Sequence, residues 1–230
     1  MHKKITITGS RGTIGTVLRE GLGSDYEIVE AALPGVDVRD FEQLKSVIIG
    51  STVIIHLAWN SKLENHVNNQ IDPDCPKMFL NVYKAALEAK VPLVIMASSV
   101  HADSFIGWKG PGLLTTDRTP VPDSLYGADK VFMEAAGRYF ASKGLEVVCI
   151  RFGGINPQNS PAGPEYPSEE RAAWLSHKDC ISLVRSIIEA DSVPNNFVVV
   201  YGVSDNEGRI HDVSNPFGWE PKTAQGKLGE

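Results

Sequence analysis

The sequence lacks the features of several large classes of protein. Its three cysteines, Cys75, Cys149 and Cys180, are far apart and odd in number, which predicts buried free thiols in a reducing compartment rather than a disulfide framework. No apolar run approaches the roughly 20 residues of a membrane span. The apolar segment behind the basic N-terminus is also too short for a signal peptide. We therefore predict a cytoplasmic protein with no membrane partner.

Basic runs and metal-ligand spacings are missing as well. The net charge is −6 with no basic cluster, which argues against nucleic acid as a partner. The histidines His56, His66, His101 and His177 form no HExxH motif or paired ligand spacing, so no metal site is predicted. The composition, 42% hydrophobic and 22% charged, is that of an ordinary soluble globular protein.

Strand and helix patterns alternate along most of the 230 residues. Short runs rich in Val and Ile predict strands over 4–8, 27–32, 52–57, 92–98, 146–151 and 196–201. Apolar residues at helical spacing predict helices over 13–23, 40–49, 76–89, 124–143 and 177–190. Such alternation indicates an α/β fold of the Rossmann type, a doubly wound parallel sheet. The length allows one sizeable domain over 1–230, with a cofactor part over about 1–155 and a small substrate-binding portion over about 156–230.

A glycine-rich turn lies directly behind the first predicted strand. Gly9 permits a tight turn, Gly12 lets the backbone approach a phosphate, and Gly15 lets the following helix pack closely on the strand. The start of that helix offers N–H groups and the positive end of a dipole to an anion. This strand–turn–helix context predicts a site for the pyrophosphate of a dinucleotide.

Prolines interrupt the alternation between Asn156 and Arg171. Five prolines and glycines in this stretch predict a loop. A long loop after a late strand of such a sheet lies near the carboxyl ends of the strands, where ligands bind. A surface insertion with no role in binding is the alternative.

Tyr126 and Lys130 form the second informative motif. Four residues apart on a predicted helix, they lie on one face, about one turn apart. A phenol has a pKa near 10, too high for a base at neutral pH, and a nearby ammonium favours the phenolate. This spacing often arises by chance on a surface helix, so its weight depends on neighbouring elements.

Two strand ends supply those neighbours. Ser98 and Ser99 end the fourth predicted strand, where either hydroxyl could bond a reacting oxygen or simply cap the strand. The segment 56–61 ends the third predicted strand with small residues that let the backbone pass close to a dinucleotide.

With these motifs in this order, the chain resembles the extended short-chain dehydrogenase/reductases of the NAD-dependent epimerase/dehydratase family. Within it, the segments 97–101, 151–157, 174–179, 201–206 and 217–222 are most similar to uronate dehydrogenases. The resemblance implies that Tyr126 is the general base, that Lys130 lowers its pKa and binds ribose, and that Ser99 or Ser98 donates to the carbonyl oxygen. The implied reaction oxidises C1 of a hexuronate to an aldonolactone.

The resemblance also implies which residues contact the cofactor and the sugar. The cofactor residues are Gly9, Ser10, Arg11, Gly12, Thr13, Ile14, Gly15, Asp37, Val38, Leu57, Ala58, Trp59, Ala97, Tyr126, Lys130 and Phe152. The sugar residues are Ser61, Ser99, Val100, His101, Gly154 and Arg171.

The cofactor is either NAD or NADP. An NAD-specific site usually ends its second strand with an acidic residue for the ribose 2′-hydroxyl, and this chain has Ala32 there. Arg11 in the glycine turn would instead face a 2′-phosphate, or lie in solvent.

Three departures weaken the assignment of a uronate. The family has asparagines where this chain has Val100 and Cys75. A carboxylate is best held by an arginine fork, and the nearest candidate, Arg171, lies closer to Trp174 than in the family. Arg171 could equally be a solvated surface residue.

Other functions and an oligomer are also considered. A nucleotide-sugar epimerase or reductase would need a larger C-terminal lobe, a sugar-phosphate dehydrogenase would fit the same fold, and a non-catalytic dinucleotide sensor would keep the cofactor site alone. Family members often pair through the helix that carries the Tyr and Lys and through the 177–190 helix. Here a homodimer face would consist of Phe132, Ala135, Ala136 and Tyr139, unless these residues belong to the core.

Overall fold

The protein is built around a six-stranded, fully parallel sheet. The computed structural model describes residues 3–60 and 69–223. The strands are β1 (Lys4–Thr8), β2 (Glu27–Ala31), β3 (Val53–His56), β4 (Leu93–Ser99), β5 (Glu146–Phe152) and β6 (Phe197–Gly202). They lie in the order β2-β1-β3-β4-β5-β6, with every neighbouring pair parallel. All six predicted strands are confirmed.

Helices connect these strands and cover the sheet. They are α1 (Thr13–Leu22), α2 (Phe41–Ile48), α3 (Asp74–Ala89), α4 (Leu125–Ala141), α5 (Ser168–Ala172) and α6 (His177–Ile188), with short 3-10 helices at Val100–Ala102 and Pro194–Asn196. Capping side chains set several starts: Ser124 accepts from the N–H of Gly127 at the start of α4, which satisfies an otherwise unpaired donor. The five predicted helices are confirmed.

Both faces of the sheet are buried. Val53 and Ile55 of β3 pack in the core layer under α1 and α6, whereas Ile54 packs in the layer under α2, α3 and α4. Successive strand residues point to opposite faces, so an unbroken apolar run is what a covered parallel strand requires. The three cysteines are buried and free, as predicted.

Between Ala31 and Phe41 the chain forms no strand, and the N–H groups of Gly35 and Val36 donate to the carbonyl of Ala32 in a turn. One local prediction needs correction. The predicted loop over 156–171 ends early, because α5 begins at Ser168. Proline disrupts a helix from within but is tolerated immediately before its first turn, and Pro167 takes that place.

Helix α4 presents a partly apolar outer face. Phe132 is 49% exposed and Tyr139 is 59% exposed, and Ala135 is exposed beside them. These three residues are therefore not core residues, and a homodimer through this face stays a prediction. Among residues 3–60 and 69–223, no helix combines the length and apolar character needed to cross a bilayer.

The strand order creates a crevice. The chain leaves β1 toward β2 on one side and continues with β3 on the other side of β1. Helices on opposite faces therefore diverge at the carboxyl ends of β1 and β3, which is where open α/β sheets bind ligands.

Candidate functional site

A cavity of about 780 Å³ opens at the carboxyl ends of β1, β3, β4 and β5. This volume is in the range of cofactor sites. The glycine turn after β1 forms one wall, and Ser99, Tyr126 and Lys130 lie on its lining as well. The motifs identified along the chain thus meet around one space.

The three glycines of the turn meet different constraints. Gly9 has φ +66°, and a Cβ on it would lie 2.7 Å from the amide nitrogen of Ala58. A Cβ on Gly15 would lie 2.5 Å from the carbonyl oxygen of Gly9. A Cβ on Gly12 would meet the same oxygen only at 3.4 Å, while Gly12 lines the cavity. Gly9 and Gly15 are therefore required by the fold, and Gly12 keeps space open in the cavity.

The start of α1 completes a cradle for an anion. Its N-cap residue, Gly12, supplies no side-chain hydrogen bond to the first turn. The first N–H groups of a helix have no partners within it, and here they border the cavity beside Thr13 and Ile14. A phosphate suits this combination of donors, dipole and missing Cβ. The chain's own residues fit the pyrophosphate of a dinucleotide.

Most of the predicted cofactor residues line this cavity. They are Gly9, Gly12, Thr13, Ile14, Gly15, Asp37, Val38, Leu57, Ala58, Trp59, Ala97, Tyr126, Lys130 and Phe152. Ser10 and Arg11 are not among its lining residues: the hydroxyl of Ser10 donates to Glu30 at 3.3 Å, and the guanidinium of Arg11 donates to the carbonyl of Leu33 at 3.0 Å. Ser10 therefore supports the turn from behind, and Arg11 lies beside Leu33 at the edge of the cavity.

The end of β2 carries no carboxylate into the cavity. Ala31, Ala32 and Leu33 line it, while Glu30 forms an ion pair with Arg19 at 3.1 Å. A nearby cation, Arg39, does line the cavity. It is held by Asp37 at 2.7 Å and Asp74 at 2.8 Å. Sequence reasoning missed Arg39 and Asp74, because no local pattern joins two charges 35 residues apart.

Tyr126 and Ser99 meet on the cavity wall. Burial raises the pKa of Tyr126, and a side-chain hydrogen bond with Ser99 opposes that rise by favouring the phenolate. The expected lowering of this pKa is therefore not achieved by the protein groups alone. Desolvation outweighs the hydrogen bond because a phenolate loses its hydration in this wall.

Lys130 is committed to other groups. Its Nζ donates to the carbonyl oxygen of Ala97 at 2.7 Å and lies 3.3 Å from the ring centroid of Trp59. It lies 5.5 Å from the ring centroid of Tyr126. Burial lowers the pKa of Lys130 to about 7, so at neutral pH the ammonium is only partly formed.

The two adjacent serines have different partners. Ser98 donates to Glu134 at 2.5 Å, and Glu134 forms a buried pair with Arg151 at 2.8 Å. Ser99 instead accepts from the N–H of His101 and bonds Tyr126. Of the two candidates, Ser99 is the one whose hydroxyl lies beside the tyrosine.

The predicted sugar residues divide into three groups. Ser99, Val100, His101 and Gly154 line the cavity. Ser61 lies outside the described residues. Arg171 is not among the lining residues, and its Nε is buried without a hydrogen-bond partner in the described part of the chain. The neighbouring Glu170 lines the cavity instead.

Comparisons with known proteins identify the family of this chain. The model of the NAD dependent epimerase/dehydratase family matches residues 5–159, and the chain belongs to that family. It is similar to L-arabinose 1-dehydrogenase (NAD(P)(+)) of Haloferax volcanii, at 30% identity over 95% of this chain and 96% of the relative. It is similar to NAD-dependent glucose-6-phosphate dehydrogenase of the same organism, at 26% identity over 96% of this chain and 94% of the relative. The crystal structure of uronate dehydrogenase from Agrobacterium tumefaciens matches with a TM-score of 0.79 and 27% identity, over 96% of this chain and 85% of that one.

Proposed function

We propose that this protein is an NAD(P)-dependent sugar dehydrogenase that oxidises C1 of a cyclic sugar to a lactone. The observation that carries the proposal is the hydrogen-bonded pair of Tyr126 and Ser99 on the wall of a cavity that also contains the glycine turn. Three relatives named as sugar dehydrogenases support the substrate class.

The two side chains have complementary roles in this reaction. The phenolate of Tyr126 takes the proton of the anomeric hydroxyl, and the hydroxyl of Ser99 donates to the same oxygen as it becomes a carbonyl. A nicotinamide dinucleotide held at the glycine turn would supply the acceptor for the hydride that leaves C1. The sugar therefore loses two electrons and two hydrogens, one as the hydride and one as the proton on Tyr126, and becomes the lactone.

Lys130 would assist by its charge. In the structure described, burial keeps its pKa near 7 and its Nζ on the carbonyl of Ala97. Positive charge beside Tyr126 favours the phenolate, so the protonated form of Lys130 is the one that would promote proton transfer.

The sugar expected from the sequence is a hexuronate, oxidised to an aldonolactone. The part of that expectation that concerns C1 is supported by Tyr126 and Ser99. The part that concerns the carboxylate depended on Arg171, which does not line the cavity. We therefore propose C1 oxidation and consider the charge of the sugar separately.

We further propose that NADP⁺ is accepted as well as NAD⁺. The chain has Ala32 and Leu33 on the cavity wall after β2. An NAD-specific site usually has an acidic side chain there, which would repel a 2′-phosphate. Arg11, within hydrogen-bond distance of the Leu33 carbonyl, provides a cation at the same edge.

The test is to follow NADH and NADPH formation separately with L-arabinose, D-galactose, D-galacturonate, D-glucuronate and glucose 6-phosphate. Tyr126→Phe should reduce turnover about 10²- to 10⁴-fold, because it removes the general base. Binding of the dinucleotide, measured by calorimetry, should stay close to that of the parent protein. Parent-level turnover in this variant would contradict the catalytic assignment. Dinucleotide binding without turnover of any sugar would favour a binding protein.

A further inference from the structure

We propose that Glu170 makes the sugar site selective for uncharged sugars, by accepting hydrogen bonds from sugar hydroxyls and by repelling a carboxylate or phosphate. This inference rests on the proposed function and names its substrate class. It concerns a residue that sequence reasoning passed over in favour of its neighbour, Arg171.

The position of Glu170 gives the first argument. It lies on α5 (Ser168–Ala172), which follows the proline-rich loop, and its half-buried side chain lines the cavity together with Ser99 and His101. The negative charge of Glu170 is close enough to favour the protonated form of His101. A carboxylate therefore faces the part of the cavity where the sugar would lie.

The partners of Glu170 give the second argument. Within residues 3–60 and 69–223, its carboxylate makes no hydrogen bond or ion pair. The adjacent Glu169 differs, because its carboxylate accepts from the N–H of Gly107 and the hydroxyl of Ser168. The acceptor capacity of Glu170 is thus available to a ligand, and that of Glu169 is used by the protein.

The cations around the cavity give the third argument. Arg39 is held by two aspartates, and Lys130 donates to the carbonyl of Ala97. The Nδ1 of His101 is 2.8 Å from the Oδ2 of Asp123, and the charge of Glu170 also acts on it. Among the described lining residues, each of these cationic side chains already faces a protein acceptor, so an added anion would have to compete for it.

Chemistry then decides which sugar suits this wall. An ionised carboxylate accepts strong hydrogen bonds from hydroxyl groups, and neutral sugars present several. A carboxylate or phosphate brought beside Glu170 would instead meet a like charge in a partly desolvated space, where repulsion is strong. Val100, also on the wall, adds no donor that would offset it.

The experiment compares kcat/KM for L-arabinose and D-galactose with that for D-galacturonate, D-glucuronate and glucose 6-phosphate. The parent protein should favour the neutral sugars. Glu170→Gln keeps the shape and one acceptor but removes the charge, so the ratio of anionic to neutral kcat/KM should rise at least about tenfold. Glu170→Arg should raise that ratio further, because a guanidinium binds carboxylate and phosphate.

Glu169→Gln is the matched control. It makes the same change in charge one residue away, and the glutamine oxygen still accepts from Gly107, so the ratio should stay within about twofold. The proposal is overturned if the parent prefers an anionic sugar, or if Glu170→Gln leaves the ratio unchanged.

A second readout separates failure of this proposal from failure of the proposed function. If no sugar is turned over, binding of the same sugars to the NADH-loaded protein is measured by calorimetry. Preferential binding of neutral sugars that Glu170→Gln abolishes would support the proposal without the activity. Equal binding of neutral and anionic sugars would overturn it.

Discussion

Adjacent serines at the end of β4 lie on opposite faces of the sheet because side chains alternate along a strand. Ser98 donates to Glu134, which is paired with Arg151 through two hydrogen bonds of 2.9 and 2.8 Å. This is a buried charged pair, and a further donor to its carboxylate stabilises it. Both serines line the cavity, but it is Ser99 that bonds Tyr126. One residue along the chain thus separates a structural hydroxyl from a candidate catalytic one.

Alanine at the two positions should therefore have opposite consequences. Ser99→Ala should reduce kcat/KM about 10²- to 10³-fold, as loss of one donor to a developing oxyanion does, and should lower stability less than Ser98→Ala, because its partners, the N–H of His101 and Tyr126, carry no charge. Ser98→Ala should lower the free energy of unfolding by about 1–3 kcal/mol, because a buried carboxylate loses a donor, and should leave turnover largely intact. Steady-state kinetics and urea unfolding of both variants check this. If Ser98→Ala loses turnover at unchanged stability, the two roles are reversed.

At the level of whole elements, β1, the glycine turn and α1 form one unit that requires glycine for two separate reasons, the packing of α1 and the space for a ligand. Close packing of α1 on the turn excludes a Cβ at Gly15, where backbone atoms of Gly9 and Ser10 lie 2.5 and 2.6 Å from its position. Gly12 has φ −74° and ψ 176°, which any residue adopts, and its Cβ position meets only the carbonyl oxygen of Gly9, at a tolerable 3.4 Å. The fold requires Gly15, whereas the proposed ligand requires Gly12.

Alanine substitutions at Gly12 and Gly15 should separate the two reasons. Gly12→Ala should leave thermal unfolding of the dinucleotide-free protein nearly unchanged and weaken dinucleotide binding at least about tenfold, which is ~1.4 kcal/mol. Gly15→Ala should lower the free energy of unfolding by about 1–3 kcal/mol, because overpacking shifts α1. NADH titration and thermal unfolding measure the two effects. Parent-level NADH affinity in Gly12→Ala would show that no phosphate lies against this residue.

The same elements show what a sequence can predict. The run Val53–Ile55 is apolar on both faces, and the glycine spacing is local, so both patterns reveal strand, turn and helix directly. The pairing of Arg39 with Asp74 could not be predicted, because it depends on how α2 and α3 pack. Whether Glu170 or Arg171 lines the cavity depends on where α5 begins after Pro167. Adjacent residues on a helix point in directions about 100° apart, so a shift of one position exchanges a cation for an anion.

For the molecule as a whole, burying Lys130 lowers the stability of the folded protein, whereas the proposed activity uses the charge of this side chain. Lys130 is buried on the lining of the cavity, and burial lowers its pKa from 10.5 to about 7. Below pH 7 the lysine is charged in both the folded and the unfolded state, so the desolvation cost is borne in full. Between pH 7 and 10.5 the unfolded state binds a proton that the folded state does not, so stability rises with pH and the cost fades.

Lys130→Met should therefore be more stable than the parent protein at pH 7, and this advantage should shrink by pH 9.5. The methionine retains an unbranched apolar side chain, but it loses the bond to Ala97 and the contact with Trp59, which offset part of the gain. Turnover should fall at least about 10²-fold, because the charge beside Tyr126 is removed.

Urea unfolding at the two pH values without dinucleotide measures the change in stability. The control is Lys84→Met, at an exposed lysine of α3. A stability difference between Lys130→Met and the parent that is the same at both pH values would contradict a neutral, buried amino group. The rest of the core must offset the stability lost by burying this amino group. A residue that lowers stability in this way is expected to serve activity rather than stability.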